Sequence, residues 1–80
     1  MVVLKNKEKN IYFKSHNGIT GEVKFTDFVN EAKGYDTEWF AKTELDYLRF
    51  HYPELGKEYF DKMTVAYVIY IKPNEERCNP

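Results

Sequence analysis

The chain has 80 residues, a formal net charge of −1 from 12 basic and 13 acidic side chains, and a single cysteine. This length predicts one domain with a thin core, and the balanced charge argues against a strongly basic nucleic-acid binder. One cysteine excludes an intrachain disulfide, and the N-terminus has no hydrophobic run typical of a signal peptide or membrane span, so we expect a cytoplasmic protein.

The first third of the sequence predicts three short strands, over about residues 2–5, 10–15 and 19–25. The first is a short apolar run, and the other two alternate apolar and polar side chains.

The turn between the second and third strands contains Asn17-Gly18. A two-residue turn would mix polar and apolar side chains on one face of the sheet. A three-residue loop with Gly18 in the left-handed conformation instead pairs Ile11 with Val23. We favour this loop, because burial of one face fixes the register of a strand.

Three helices are predicted after the strands, over about residues 26–33, 36–51 and 54–63. Gly34 suits a left-handed stop after the first helix, and Asp36 is expected to cap the second. Pro53 should end the second helix, because the residue before a proline avoids helical backbone angles.

A fourth strand is predicted over about residues 64–72, followed by a disordered tail at 74–80. The strand is apolar on both faces, which is typical of a central strand that is covered twice. The predicted fold is therefore α+β: one domain, residues 1–73, with an antiparallel sheet of three or four strands and three helices on one face.

The predicted second helix has two apolar stripes on opposite sides. One stripe consists of Ala41, Leu45, Leu48 and Tyr52, and the other of Trp39, Phe40, Tyr47 and Phe50. A surface helix normally has one apolar side, so the second stripe either packs against the third helix as core or binds another molecule.

No catalytic, cofactor-binding or metal-binding site is predicted, and we do not expect an enzyme. His16 lies in a predicted turn, His51 at a helix end, and Cys78 beside two glutamates in the tail. These three residues lack the spacing of a zinc site, and the two glutamates would, if anything, raise the pKa of the Cys78 thiol.

Lysines and aromatic side chains on the first strands suggest a second kind of ligand. Tyr12, Lys14 and Lys24 would lie on the sheet, where rings and cations can bind single-stranded nucleic acid by stacking. Lysines also protect sheet edges from aggregation, which is the alternative interpretation.

Residues 40–56 resemble the first helix and following turn of Myb-like, SANT-type DNA-binding domains. The resemblance rests on Phe40, Glu44, Leu48 and the Tyr52-Pro53 turn. It implies a helical DNA-binding fold, whose third helix is basic. The corresponding region here, residues 64–72, is apolar and strand-like, so no DNA-binding residues are assigned.

The sequence favours a non-catalytic module that binds another protein. Candidate partner-binding residues are the aromatic and aliphatic side chains Trp39, Phe40, Tyr47, Phe50, Val68 and Tyr70. Abundant Lys, Asn, Tyr, Phe and Ile indicate AT-rich codons. The hypothesis is therefore a phage or mobile-element protein that modulates or inhibits a host factor. A structural homodimer and a single-stranded nucleic-acid binder are the alternatives.

Overall fold

The computed structural model describes residues 1–69, which form one antiparallel four-stranded sheet and one α-helix. The strands are β1 (Val2–Asn6), β2 (Ile11–His16), β3 (Val23–Thr26) and β4 (Met63–Tyr67), in the spatial order β3-β2-β1-β4. The helix, α1, spans Glu38–His51 and packs on β1 and β4. The predicted α+β class and the antiparallel sheet are confirmed.

Helix α1 begins two residues later than predicted. Thr37, rather than Asp36, caps it, because the Thr37 Oγ1 accepts a hydrogen bond from the Phe40 amide at 3.2 Å. The helix ends at His51, directly before Tyr52-Pro53, as predicted. Within the described part of the chain, no helix has the length and apolar character needed to cross a membrane.

The predicted helix over residues 26–33 is wrong. Only Val29–Glu31 is helical, as a single 3-10 turn. Residues 33–35 instead occupy a gap between β1 and β2, where the Lys33 amide donates to the Phe13 carbonyl at 3.0 Å and Tyr35 pairs with Val2. These long-range backbone bonds outweigh a weak local preference for helix. Gly34 therefore ends no helix, and its φ is not positive.

The predicted helix over residues 54–63 is also wrong, and two 3-10 turns replace it at Pro53–Leu55 and Phe60–Lys62. The buried side chain of Asn6 explains the interruption. Its Nδ2 donates to the carbonyls of Glu58 and Tyr59, at 3.1 and 3.2 Å, so these carbonyls are drawn toward β1. Within residues 1–69, therefore, no third helix packs against the outer side of α1.

The register of β2 and β3 differs from the registers that the two-residue turn and the three-residue loop would give. Phe13 pairs with Phe25 and His16 with Val23, and an irregularity between Phe13 and Ser15 absorbs one residue. The connecting loop is longer than predicted, because the Asn17 side chain accepts hydrogen bonds from the amides of residues 19 and 20. Gly21, with φ of 78°, takes the left-handed conformation that we assigned to Gly18.

Strand β4 lies at an edge of the sheet and not at its centre, which corrects the prediction. Within residues 1–69 it pairs only with β1, from Val2 opposite Tyr67 to Asn6 opposite Met63. The end of the predicted strand, residues 70–72, and the predicted disordered tail, 74–80, lie outside the described residues.

The hydrophobic core lies between α1 and the sheet. Leu4, Phe13, Leu48 and Phe60 are fully buried there, and Val23, Phe25 and Val65 pack at its margin. The helix stripe predicted to face this core is buried throughout its length: Ala41, Leu45, Leu48 and Tyr52.

Candidate protein-binding surface

The second stripe of α1 faces away from the core and is exposed. We call its four residues, Trp39, Phe40, Tyr47 and Phe50, the aromatic row. Their side chains are 66%, 53%, 45% and 80% exposed, respectively. The interpretation of both stripes as core is therefore wrong for this stripe, because the helix that would have covered it does not form.

The rings of the aromatic row form two clusters along α1. Near its start, Trp39 and Phe40 meet edge to face, with centroids 5.1 Å apart. Near its end, the imidazole of His51 lies between Tyr47, at 4.0 Å, and Phe50, at 5.1 Å. These contacts hold the rings against one another, while each residue of the row keeps 45% or more of its surface exposed.

A groove of about 660 Å³ borders the aromatic row on one side of α1. Phe40 and Tyr47 of the row contribute to its wall. The other lining residues are His16, Lys33, Gly34, Tyr35, Asp36, Thr43 and Glu44. We call this feature the Glu44 groove, because a half-buried carboxylate lies at the centre of its polar contacts.

Three side chains from two other segments of the chain, β2 and residues 33–35, meet at the Glu44 carboxylate. The Tyr35 hydroxyl donates a hydrogen bond to Oε1, and the Lys33 Nζ lies 2.8 Å from the same oxygen. The His16 Nε2 lies 3.8 Å from Oε2, and the other ring nitrogen of His16 lies 3.0 Å from the Tyr52 hydroxyl. The carboxylate is thus paired within the chain, and the groove combines apolar rings with a fixed polar edge.

Burial and the Glu44 carboxylate hold the pKa of the Tyr35 hydroxyl well above its ordinary value of 10.0. The folded protein therefore retains a proton above pH 10 that the unfolded chain loses. Stability from this group is present below pH 10 and declines as the pH rises further.

We expect the free energy of unfolding to fall more steeply with pH above about 10 in the wild type than in Tyr35→Phe. The difference in slope should reach up to about 1.4 kcal/mol per pH unit, which corresponds to one proton. Urea denaturation at a series of pH values measures both slopes. Equal slopes for the wild type and Tyr35→Phe would contradict the prediction.

The remaining predicted partner-binding residues do not join the aromatic row. Val68 is half-buried beyond the end of β4, where its amide donates to the Met1 carbonyl at 2.8 Å. Tyr70 lies outside the described residues. The predicted surface is therefore confined to α1 in the part of the chain that the structure describes.

The predicted nucleic-acid residues lie on the first hairpin and are only partly available. Tyr12 is half-buried, and the Lys5 Nζ lies 5.4 Å from the centroid of its ring. Lys14 is exposed, but its Nζ is 3.8 Å from a carboxylate oxygen of Glu31. Lys24 is exposed opposite Ser15. These residues do not form an open platform of stacked rings.

The sequence interpretation missed the polar half of the groove. His16 was assigned to a turn, but it ends β2 and its ring lies 5.7 Å from that of Tyr47. Glu44 was assigned to a polar flank of the helix. No local sequence pattern links these residues to Lys33 and Tyr35. The four side chains meet only in the folded protein, through the irregularity in β2 and the position of residues 33–35 between β1 and β2.

No three His, Cys, Asp or Glu side chains in residues 1–69 are grouped so as to hold a metal ion. Comparison of the chain with family models, curated proteins and solved structures finds no match.

Proposed function

We propose that this chain is a non-catalytic module that binds another protein through the aromatic row and the adjoining Glu44 groove. The observation that carries the proposal is the exposure of four large rings on one side of a 14-residue helix. Exposed apolar patches of this kind mark interaction sites, and Trp and Tyr are enriched among the residues that dominate binding energy.

The chemistry of the surface suggests how a partner would be oriented. The rings offer apolar area with little loss of side-chain entropy on binding. The charged edge formed by Lys33, Asp36 and Glu44 would position polar groups of the partner beside that area. A partner with an apolar ridge and a polar border fits this surface.

The biological context of this proposal rests on composition. Under it, the protein is encoded by a phage or mobile element, works in the cytoplasm, and modulates or inhibits a host factor. This context stays a prediction.

The test is affinity capture from a bacterial lysate with the wild-type chain and with Trp39→Ala and Phe50→Ala. We expect one stoichiometric partner, whose dissociation constant rises about 30-fold or more with either variant, equivalent to about 2 kcal/mol. Both residues are exposed, so circular dichroism should show unchanged folding.

Phe28→Ala is the matched control, because Phe28 is an aromatic residue that is 62% exposed and lies outside the row. It should retain the partner. A partner that binds Trp39→Ala and Phe50→Ala as tightly as the wild type would contradict the proposal.

Nucleic-acid binding is the competing function. Titration with single-stranded oligonucleotides at low salt tests it, together with the double variant Tyr12→Ala/Lys14→Ala. A salt-dependent complex that this double variant abolishes would replace the proposal.

A further inference from the structure

The outer edge of β4 presents backbone groups that no strand in residues 1–69 uses. The Val68 amide donates to the Met1 carbonyl, and the Met1 amino group lies 3.4 Å from the Val68 carbonyl. Met1 and Val68 therefore exchange two backbone hydrogen bonds, directly beyond the ladder of β1 and β4. In an antiparallel ladder such pairs alternate along the strand. Ala66 and Thr64 therefore also face β1, whereas the N–H and C=O groups of Val65 and Tyr67 point outward.

This edge lacks the usual protection against pairing with another strand. The sequence from residue 63 to 69 contains no charged side chain and no proline. Tyr67 and Ile69 are 70% and 90% exposed. Native edge strands normally carry Lys, Pro or a bulge, so an unprotected edge indicates a place for a further strand.

A line of charges on α1 borders the same edge. We call Glu38, Lys42, Asp46 and Arg49 the charged flank. With Met63 and Leu45, it lines a groove of about 470 Å³ between the helix and β4. Acidic and basic side chains alternate along it, and neighbours pair within the chain: Lys42 with Glu38 at 3.4 Å, and Arg49 with Asp46 at 3.7 Å.

We propose that β4 pairs antiparallel with β4 of a second copy of this chain, which joins the two sheets into one of eight strands. The pairing is isologous, with a two-fold axis near Val65. It uses the outward N–H and C=O groups of Val65 and the outward N–H of Tyr67, which donates to the Met63 carbonyl of the second copy, because the Met63 N–H already bonds the Phe60 carbonyl. It also covers the exposed side chain of Tyr67.

The charge pattern identifies a second copy as the occupant. The Tyr67 hydroxyl donates to a carboxylate oxygen of Glu38 at 3.2 Å, so the start of α1 lies beside the end of β4. The same two-fold axis therefore relates the two helices in antiparallel orientation. Glu38 then faces Arg49 of the second copy, and Lys42 faces Asp46 of the second copy. Both contacts join opposite charges.

The spacing of strands and helices is compatible with this arrangement. Strands lie about 4.8 Å apart in a sheet, and α1 packs over both β1 and β4. Two helices placed in this way are separated by two strand spacings, or about 10 Å, which is a normal distance for packed helices. Phe40 and Tyr47 of the aromatic row lie on the side of α1 opposite the charged flank, so the dimer and the proposed protein binding can fail independently.

The first test is the oligomeric state, measured by sedimentation equilibrium from micromolar to millimolar concentration. We expect a monomer–dimer equilibrium for the wild type. Lys42→Glu should weaken the dimer about tenfold, because two symmetry-related attractive contacts become repulsive. The double variant Lys42→Glu/Asp46→Lys should restore the wild-type dissociation constant, because the introduced charges again face opposite charges. Lys7→Glu, an exposed charge reversal away from the flank, is the control and should change nothing.

The second test locates the junction through amide hydrogen exchange. The Val65 and Tyr67 amides should exchange quickly in the monomer and become protected as the dimer forms. Tyr67→Pro should abolish the dimer, because it removes an outward N–H that makes no bond to β1. A monomer throughout the concentration range would overturn the proposal. So would a dimer with unprotected Val65 and Tyr67 amides, or one that Trp39→Ala disrupts and Lys42→Glu does not.

Discussion

Phe60→Ala should reduce the free energy of unfolding by about 3–5 kcal/mol, the range for removing a fully buried aromatic ring. Phe60 has no exposed area, and its ring lies 6.3 Å from that of Phe13, 5.9 Å from Phe25 and 6.5 Å from Tyr52. Truncation leaves a cavity where two strands, the end of α1 and a 3-10 turn meet. In a domain of this size, such a loss removes most of the stability.

Urea denaturation followed by circular dichroism measures this effect. Phe28→Ala removes the same side chain from an exposed position and should change stability by less than about 0.5 kcal/mol. If the Phe60→Ala loss were as small as that of Phe28→Ala, the description of the core would be wrong.

Asn6→Ala should destabilise the protein by about 3 kcal/mol, although Asn6 is polar. Its side chain is fully buried, donates to the carbonyls of Glu58 and Tyr59, and accepts a bond from the Lys9 amide at 3.0 Å. Truncation leaves three backbone groups without their partner, and buried groups without partners cost about 1–3 kcal/mol each before water and local relaxation compensate.

Thermal and urea unfolding of Asn6→Ala measure the loss. Asn30→Ala is the control, because Asn30 is exposed and should be neutral on replacement. A loss below about 1 kcal/mol for Asn6→Ala would show that water replaces these bonds without penalty.

Helical periodicity predicted the helix and its buried side well. Ala41, Leu45 and Leu48 recur at helical spacing, and all three face the core. The same periodicity predicted that Trp39 and Phe50 lie together on the opposite side. It did not determine whether they would be covered, because that depended on whether residues 54–63 formed a helix.

The two predicted helices that do not form fail for one physical reason. Each segment makes backbone bonds with a distant strand: Lys33 with Phe13 in β2, and residues 58 and 59 with the Asn6 side chain in β1. Such bonds join positions that are far apart in sequence, so local propensity and spacing do not reveal them. The Glu44 groove was missed for the same reason, because its polar side chains meet only through these connections.

The pairing of β1 with β4 also affects how the chain reaches its native state. These strands stand at opposite ends of the described residues, so their ladder closes a loop that includes nearly every other element. Loop closure of this kind slows folding, because chain entropy is lost before the contacts compensate for it. During synthesis on the ribosome, β1 is translated before β4 and lacks its longest ladder until Met63–Tyr67 has been translated. A nascent chain at that stage leaves Val2, Val3 and Leu4, which are buried in the folded protein, without the strand that pairs with them.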